Sequence, residues 1–158
     1  HARHKRVLET TSIYCSKAGL ATSLERKVEG GRTDITFYDL NSSISHGDVS
    51  ITHPCAKSYL DGAAEEAGSA ARARDARKQD IYTPRLPPGI ELIPLVMESY
   101  GYISHPFRSL LQKVSSTFEK RRGNDHLVSF KVNFLTDLSC SLQRGNAQIL
   151  AEGLCRAI

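Results

Sequence analysis

The sequence predicts an α/β domain in which a central mixed sheet of four strands is covered by helices, and three observations lead there. Two short segments alternate polar and apolar residues and are joined by turn chemistry, which reads as an antiparallel hairpin. A segment rich in Ala, Glu, Arg and Lys, all strong helix formers, separates that hairpin from an apolar strand. Helical segments stand before and after this set. The order helix, three strands, helix, strand, helices argues for one sheet with helices packed on it.

In residues 2–18, apolar Val7, Leu8, Ile13, Tyr14 and Ala18 recur with gaps that suit a helix, and Gly19 stands where a stop is expected. Residues 21–29 read as an extended strand that the Gly30-Gly31 pair interrupts with a turn. In 33–40, polar Asp34, Thr36 and Tyr38 alternate with Ile35 and Phe37, and in 48–52, Asp48, Ser50 and Thr52 alternate with Val49 and Ile51. Both are expected as half-buried strands, with Asn41-Ser42-Ser43 and His46-Gly47 as the turn chemistry between them. His53-Pro54 ends the third strand, because Pro54 has no N–H to give a ladder. Helix formers fill 63–81, the central helix, with Gly68 as its weak point. Pro84, Pro87 and Pro88 make 83–89 a connection, and 90–97, with Leu92, Ile93, Leu95 and Val96, is expected as an interior strand. Helices follow over 106–120 and 128–157, the second broken near Gly145.

A length of 158 residues fits one domain able to bury a core without disulfides or structural metal, read as a core over 1–122 and a helical extension over 123–158. Hydrophobic residues at 40% and charged residues at 24% exclude a disordered tail. No apolar run approaches the roughly 20 residues that span a bilayer, so no membrane partner is expected. Cys15, Cys55, Cys140 and Cys155 lack close spacing and read as reduced, mostly buried thiols. The formal charge of +4 permits a polyanionic partner. Basic residues cluster at 1–6, at 72–78, and at 120–122 with Arg108 and Lys113 upstream, three groups expected to line one cleft. Arg74, Arg77, Lys120 and Arg121 are the expected phosphate contacts. The first residue is His rather than Met, which leaves open a fragment of a longer chain.

A hairpin turning about Asn41 sets Asp34 opposite Asp48 on the polar face, with Cβ atoms about 5 Å apart. Like charges so placed repel, and a divalent cation converts the repulsion into binding, since Mg²⁺ (or Mn²⁺) takes one or two carboxylates plus water and phosphate oxygens. Two unrelated surface aspartates are the plain alternative. Lys78 shares a stripe of the central helix with Arg74 at i−4 and Tyr82 at i+4. Packed across the sheet, it would orient or deprotonate an attacking water or offset charge at a phosphate; otherwise it lies on a solvated face. Glu98, at a strand end, is either a supporting acid or a surface charge, and Gly101 serves backbone geometry. His4, His46 in the turn, and His53 read as solvated or core-satisfied.

The run RTDITFYD, then GDVSITHP beginning thirteen residues after Asp34, then RKQDIY, IPLVMESYGY and SLQRGNA, in that order, carry a resemblance. Over residues 25–150 the chain resembles the restriction-like endonuclease region that follows the reverse transcriptase in some site-specific non-LTR retrotransposons. The resemblance implies the PD-(D/E)XK nuclease fold, with Asp34 and Asp48 as its two acidic positions and Lys78 as a lysine displaced from strand to helix. Ser50 occupies the usual lysine position, Thr33 that of a common proline, and Ile81 that of a second basic residue before the tyrosine, here Tyr82. Glu9 is an additional metal ligand on this reading, since related folds draw an acid from the first helix. Also implied are Mg²⁺ or Mn²⁺ as cofactor, DNA as substrate, a reverse transcriptase domain of the same polyprotein as partner, and an intracellular location, nuclear in a eukaryotic retroelement. The activity would be a nick that primes reverse transcription. Two other functions suit the same fold: a catalytically inactive nucleic-acid-binding remnant, and a junction-resolving or repair nuclease.

Overall fold

The computed structural model describes residues 2–28, 31–38, 40, 43–123 and 127–155. His1, Gly30, the Asn41-Ser42 turn and the expected helix end at Ala157 lie outside the described residues. Helix α1 (Ala2–Lys17) stops where glycine is supplied: Gly19 takes φ +78°, open to a residue without Cβ, and its N–H reaches Ser16 O at 2.8 Å. Strands β1 (Thr22–Val28) and β2 (Gly31–Phe37) pair antiparallel, from Thr22 opposite Phe37 to Val28 opposite Gly31. β2 then pairs antiparallel with β3 (Ser45–Thr52), with Ile35 opposite Gly47 and Phe37 opposite Ser45, the register expected from the sequence.

β3 starts three residues earlier than its alternation suggested, so His46 and Gly47 belong to the strand and not to the turn. Gly47 is there for close packing. A Cβ on it would lie 2.5 Å from Ile35, 2.9 Å from Phe37 and 3.0 Å from Leu95.

The single helix expected over 63–81 is two, α2 (Leu60–Glu65) and α3 (Ser69–Tyr82), divided at Gly68 with φ +80°. Gly68 has no side chain to cap α3, and Glu98 supplies one from the sheet: its Oε1 accepts the Ala71 N–H at 3.0 Å. Glu98 is therefore not a surface charge. It is buried and holds a helix N-terminus.

A 3₁₀ turn at Thr83–Arg85 leads toward β4 (Glu91–Glu98), which pairs parallel with β3 from Ser45 opposite Glu91 to Thr52 opposite Glu98. The sheet is mixed, in the order β1-β2-β3-β4. Expected as interior, β4 is the edge strand, which suits Pro94, a residue with no N–H to donate. The edge is shielded: Ile103 bridges Met97, Ser104 N–H reaches Val96 O at 2.9 Å, and Gln79 Nε2 donates to Leu92 O at 3.3 Å. Helix α4 (His105–Arg122) follows, and α5 (Leu127–Cys155) runs unbroken through Gly145. That glycine admits α1, since a Cβ would lie 2.7 Å from Arg3 Cα.

One face of the sheet, with Ile35, Phe37, Val49, Ile93, Leu95 and Met97, packs under α1, α4 and α5 through Leu8, Phe107, Leu110, Phe134 and Leu138. Each large side chain so buried contributes about 1.5–3 kcal/mol. Tyr14 stacks on Phe134 with centroids 4.3 Å apart and donates its hydroxyl to Asp137 at 2.7 Å. From its alternation the opposite face reads as the polar side of half-buried strands. Instead α3 covers it, and Thr36, His46, Ser50 and Thr52 are buried along with Ala70, Ala71 and Lys78. Burial on both faces follows from the parallel β3–β4 pair and its crossover helix. Among the cysteines only Cys15 is buried; Cys55, Cys140 and Cys155 are exposed, against expectation, and all four are free. Among the described residues no helix is long and apolar enough to cross a membrane.

Candidate active site at the fork of the sheet

The β2–β3 ladder is short. Its register covers Ile35 to Phe37 against Ser45 to Gly47, and beyond it β2 stays with β1 while β3 stays with β4. Where the strands part, side chains take over the backbone's hydrogen bonds. Thr33 Oγ1 lies 2.9 Å from Ile35 O and 3.1 Å from Gly47 O, and Val49 N–H donates to Asp34 Oδ2 at 2.8 Å. Continuing the register by one residue sets Asp34 opposite Asp48 in the fork, where each carboxyl group acts on the ionisation of the other.

A helix from each layer sends a cation-forming side chain into this fork. His4 of α1 places Nε2 2.9 Å from Asp34 Oδ2. Lys78 of α3, only 4% exposed, donates from Nζ to Asp48 Oδ2. One turn earlier on the same stripe, Arg74 Nε donates to Ser50 Oγ at 3.0 Å, and one turn later the Tyr82 ring centroid lies 6.0 Å from Lys78 Nζ.

The two acids titrate as a pair pushed in opposite directions. Burial works against ionisation of Asp34, but the bonds with His4, Asp48 and the Val49 N–H outweigh it and hold its carboxyl below the usual range. Asp48 is pushed up by burial, with Asp34 adding to the push and Lys78 opposing it. His4 is raised chiefly by its bond to Asp34. His46, inside β3 with Nδ1 3.2 Å from Thr36 Oγ1, is lowered by burial.

Other candidates fall elsewhere. Glu9 is exposed and pairs with Lys5 at 3.8 Å; five residues beyond His4, it lies about 140° round the helix from the histidine that reaches Asp34. Arg77 is exposed on α3. Arg121 donates to Ala18 O at 3.3 Å, at the opposite end of α1 from His4. That separation is about 20 Å along the helix, so the cluster at 120–122 does not share a cleft with the acids. Of the basic groups that do flank them, Arg3 and Lys5 come from the cluster expected at 1–6, whereas Arg32 and Arg85 lie outside the expected clusters. Arg3, Lys5 and Arg32 border the cleft of His4 and Asp34, while Arg32 and Arg85 border the adjoining cleft of Asp48 and Tyr82. Arg32 was legible, since a residue two before Asp34 in a strand faces the same way. His4 was not, because nothing local links it to a strand thirty residues on.

Asp75, one turn before Lys78, is buried beneath the same helix, and neither its Oδ1 nor Ser104 Oγ has a sound hydrogen bond among the described residues. Burial lifts its carboxyl to about 6, partly offset by Ser104 and Lys78. The folded state therefore binds more protons than the unfolded chain between the ordinary value of 3.8 and about 6, and stability falls as pH rises through that window. Asp75→Asn is expected to stabilise the protein above that window, by up to about 3 kcal/mol, and to do little near pH 4. Thermal melts across that range check it; a variant less stable than wild type at neutral pH contradicts the assignment.

Among the described residues no group of three or more His, Cys, Asp or Glu is arranged to hold a metal ion. The fork offers two carboxylates, and the contacts from His4, Val49 and Lys78 all fall on their Oδ2 oxygens. Such a set of hard oxygen donors suits Mg²⁺ completed by water and phosphate, and does not suit zinc. No protein-family model matches the chain, and no curated protein is significantly similar to it.

Proposed function

We propose that the chain is a Mg²⁺-dependent DNA endonuclease of the restriction-like PD-(D/E)XK class, whose nick would prime reverse transcription in a non-LTR retrotransposon. One observation carries this reading: Asp34, Asp48 and Lys78, from two strands and a helix, meet at the fork of the sheet. Asp34 and Asp48 would hold the cation between them. When bound, the metal supplies Lewis-acid stabilisation of the phosphate and a more acidic water. Lys78 Nζ, kept at the fork by Asp48, donates to a phosphate oxygen or orients the attacking water, and the enclosing helix makes that charge count for more than it would in bulk water. Arg74 occupies the space at Ser50, so cations from α3 stand where the motif's strand lysine is missing.

A second reading is a nucleic-acid-binding module without cleavage. It is favoured by the way His4 and Lys78 already face the two acids, which lets the fork persist without a cation. Nicking of supercoiled plasmid with and without Mg²⁺, beside DNA affinity at several salt concentrations, separates the two. Wild-type nicking that requires the cation supports the first; binding with no cleavage of any duplex, nicked or branched substrate supports the second. In either case affinity is expected to fall with salt, and Arg32→Ala to flatten the log–log slope by about 1 while Lys120→Ala leaves it unchanged. Equal effects of the two substitutions would place the DNA elsewhere.

A further inference from the structure

Beside the fork, across a wall formed by Arg3 and Ile149, lies a second cleft that the proposed chemistry does not use. The turn after β4 and the side of α5 enclose it. Tyr100, at the tip of that turn, is 69% exposed, yet it is held nearly perpendicular to the His53 ring with centroids 5.3 Å apart. His53 is fixed in turn by Ser99 Oγ at 2.6 Å from its Nδ1. Asn146 fastens the surrounding elements: it accepts from Arg3 at 3.1 Å and donates to Ser99 O at 2.9 Å and to Gln143 Oε1 at 3.0 Å. The amide nitrogen of Gln143 makes no hydrogen bond among the described residues. Ile149 and Leu150 are exposed on the same helix, at 38% and 68%.

An exposed aromatic ring, a braced imidazole, a carboxamide with donors to spare, a guanidinium and an aliphatic wall together fit a planar heteroaromatic ligand. Its faces stack on the ring and its edge meets the amide and guanidinium. A phosphate alone would have no use for the ring and the aliphatic wall. Arg3 and Ile149 line both this cleft and the cleft of His4 and Asp34, so the two adjoin and one strand can pass from the fork into this cleft.

We infer that the cleft takes one unpaired nucleobase of the DNA strand that crosses the fork. The inference rests on the proposed function for the identity of the polymer, though Tyr100, His53 and Gln143, which carry it, take no part in the fork. A base stacked in a duplex has both faces covered by its neighbours and cannot also stack on Tyr100, so the base must be frayed, flipped or displaced, at a cost least beside a nick or mismatch.

The test is binding in EDTA of duplexes that carry 2-aminopurine either unpaired beside a nick or fully paired. Wild type is expected to quench the unpaired probe and prefer that duplex. Tyr100→Ala should remove the quench and weaken affinity for the unpaired duplex by about tenfold or more, leaving the paired duplex nearly unchanged. Tyr100→Phe should keep the quench, and Gln143→Ala should weaken affinity less than Tyr100→Ala does. Wild type that shows no quench, a quench that survives Tyr100→Ala, or no DNA binding at all overturns the inference; an apolar protein partner would then be the better occupant. A Tyr100-dependent quench in a protein that never nicks upholds the cleft and removes the nuclease reading, and nicking without such a quench does the reverse.

Discussion

Asp48→Asn is expected to abolish Mg²⁺-dependent nicking while the protein still folds and still binds DNA. The substitution keeps the shape of the side chain, and the amide oxygen still accepts from Lys78, but the charge that would hold a cation beside Asp34 is gone. Stabilisation of a phosphoryl group by a bound cation is worth several kcal/mol, and each 1.4 kcal/mol is tenfold in rate, so the loss should reach at least about 10³-fold. Binding is expected to fall on Arg3, Arg32 and Arg85, which border the clefts and form no ion pair with Asp48. Initial nicking rates with matched thermal melts and DNA titrations measure all three properties. A variant that nicks at the wild-type rate removes Asp48 from the chemistry; one that fails to fold shifts the question to Asp34→Asn.

Lys78→Ala is expected to lower the cleavage rate by about 10²-fold, the typical effect of losing one donor that acts mainly in the transition state. Lys78 is 4% exposed and its stem packs between α3 and the sheet, so truncation also leaves a void and takes from Asp48 the cation that opposes its burial. Lys78→Met retains the stem and separates these effects: it should restore much of the stability and none of the rate. Arg144→Ala, an exposed position on α5, should leave the rate as it is. If Lys78→Met nicks as wild type does, the lysine braces the fork and takes no part in the step, while the acidic pair remains.

The register of the hairpin was readable because side-chain alternation in a strand has a period of two and Ile35, Phe37, Val49 and Ile51 fix which face is apolar. That register placed Asp34 opposite Asp48, and helical spacing placed Arg74, Lys78 and Tyr82 on one stripe. The burial of the polar face was not readable. A strand buried on both sides beneath a small-residue helix face looks, in one sequence, like a half-exposed strand, and only the parallel partner β4 distinguishes them. The split at Gly68 and the continuity at Gly145 show the same limit. Glycine breaks a helix in the first case, where the Tyr102 ring leaves no room for a side chain, and in the second it gives α1 room to approach an intact helix. His4 and Glu98 act over 30 and 27 residues of separation, where no periodicity reports who will meet whom.

Binding of Mn²⁺ near neutral pH, followed by calorimetry or by its paramagnetic resonance signal, tests the acidic pair without any need for cleavage. Wild type is expected to show a saturable site that is lost in Asp34→Asn and in Asp48→Asn but kept in Glu9→Gln, whose side chain faces away from the fork. Saturable binding that survives both aspartate substitutions, or none in wild type at millimolar Mn²⁺ with DNA present, would contradict a metal site at Asp34 and Asp48.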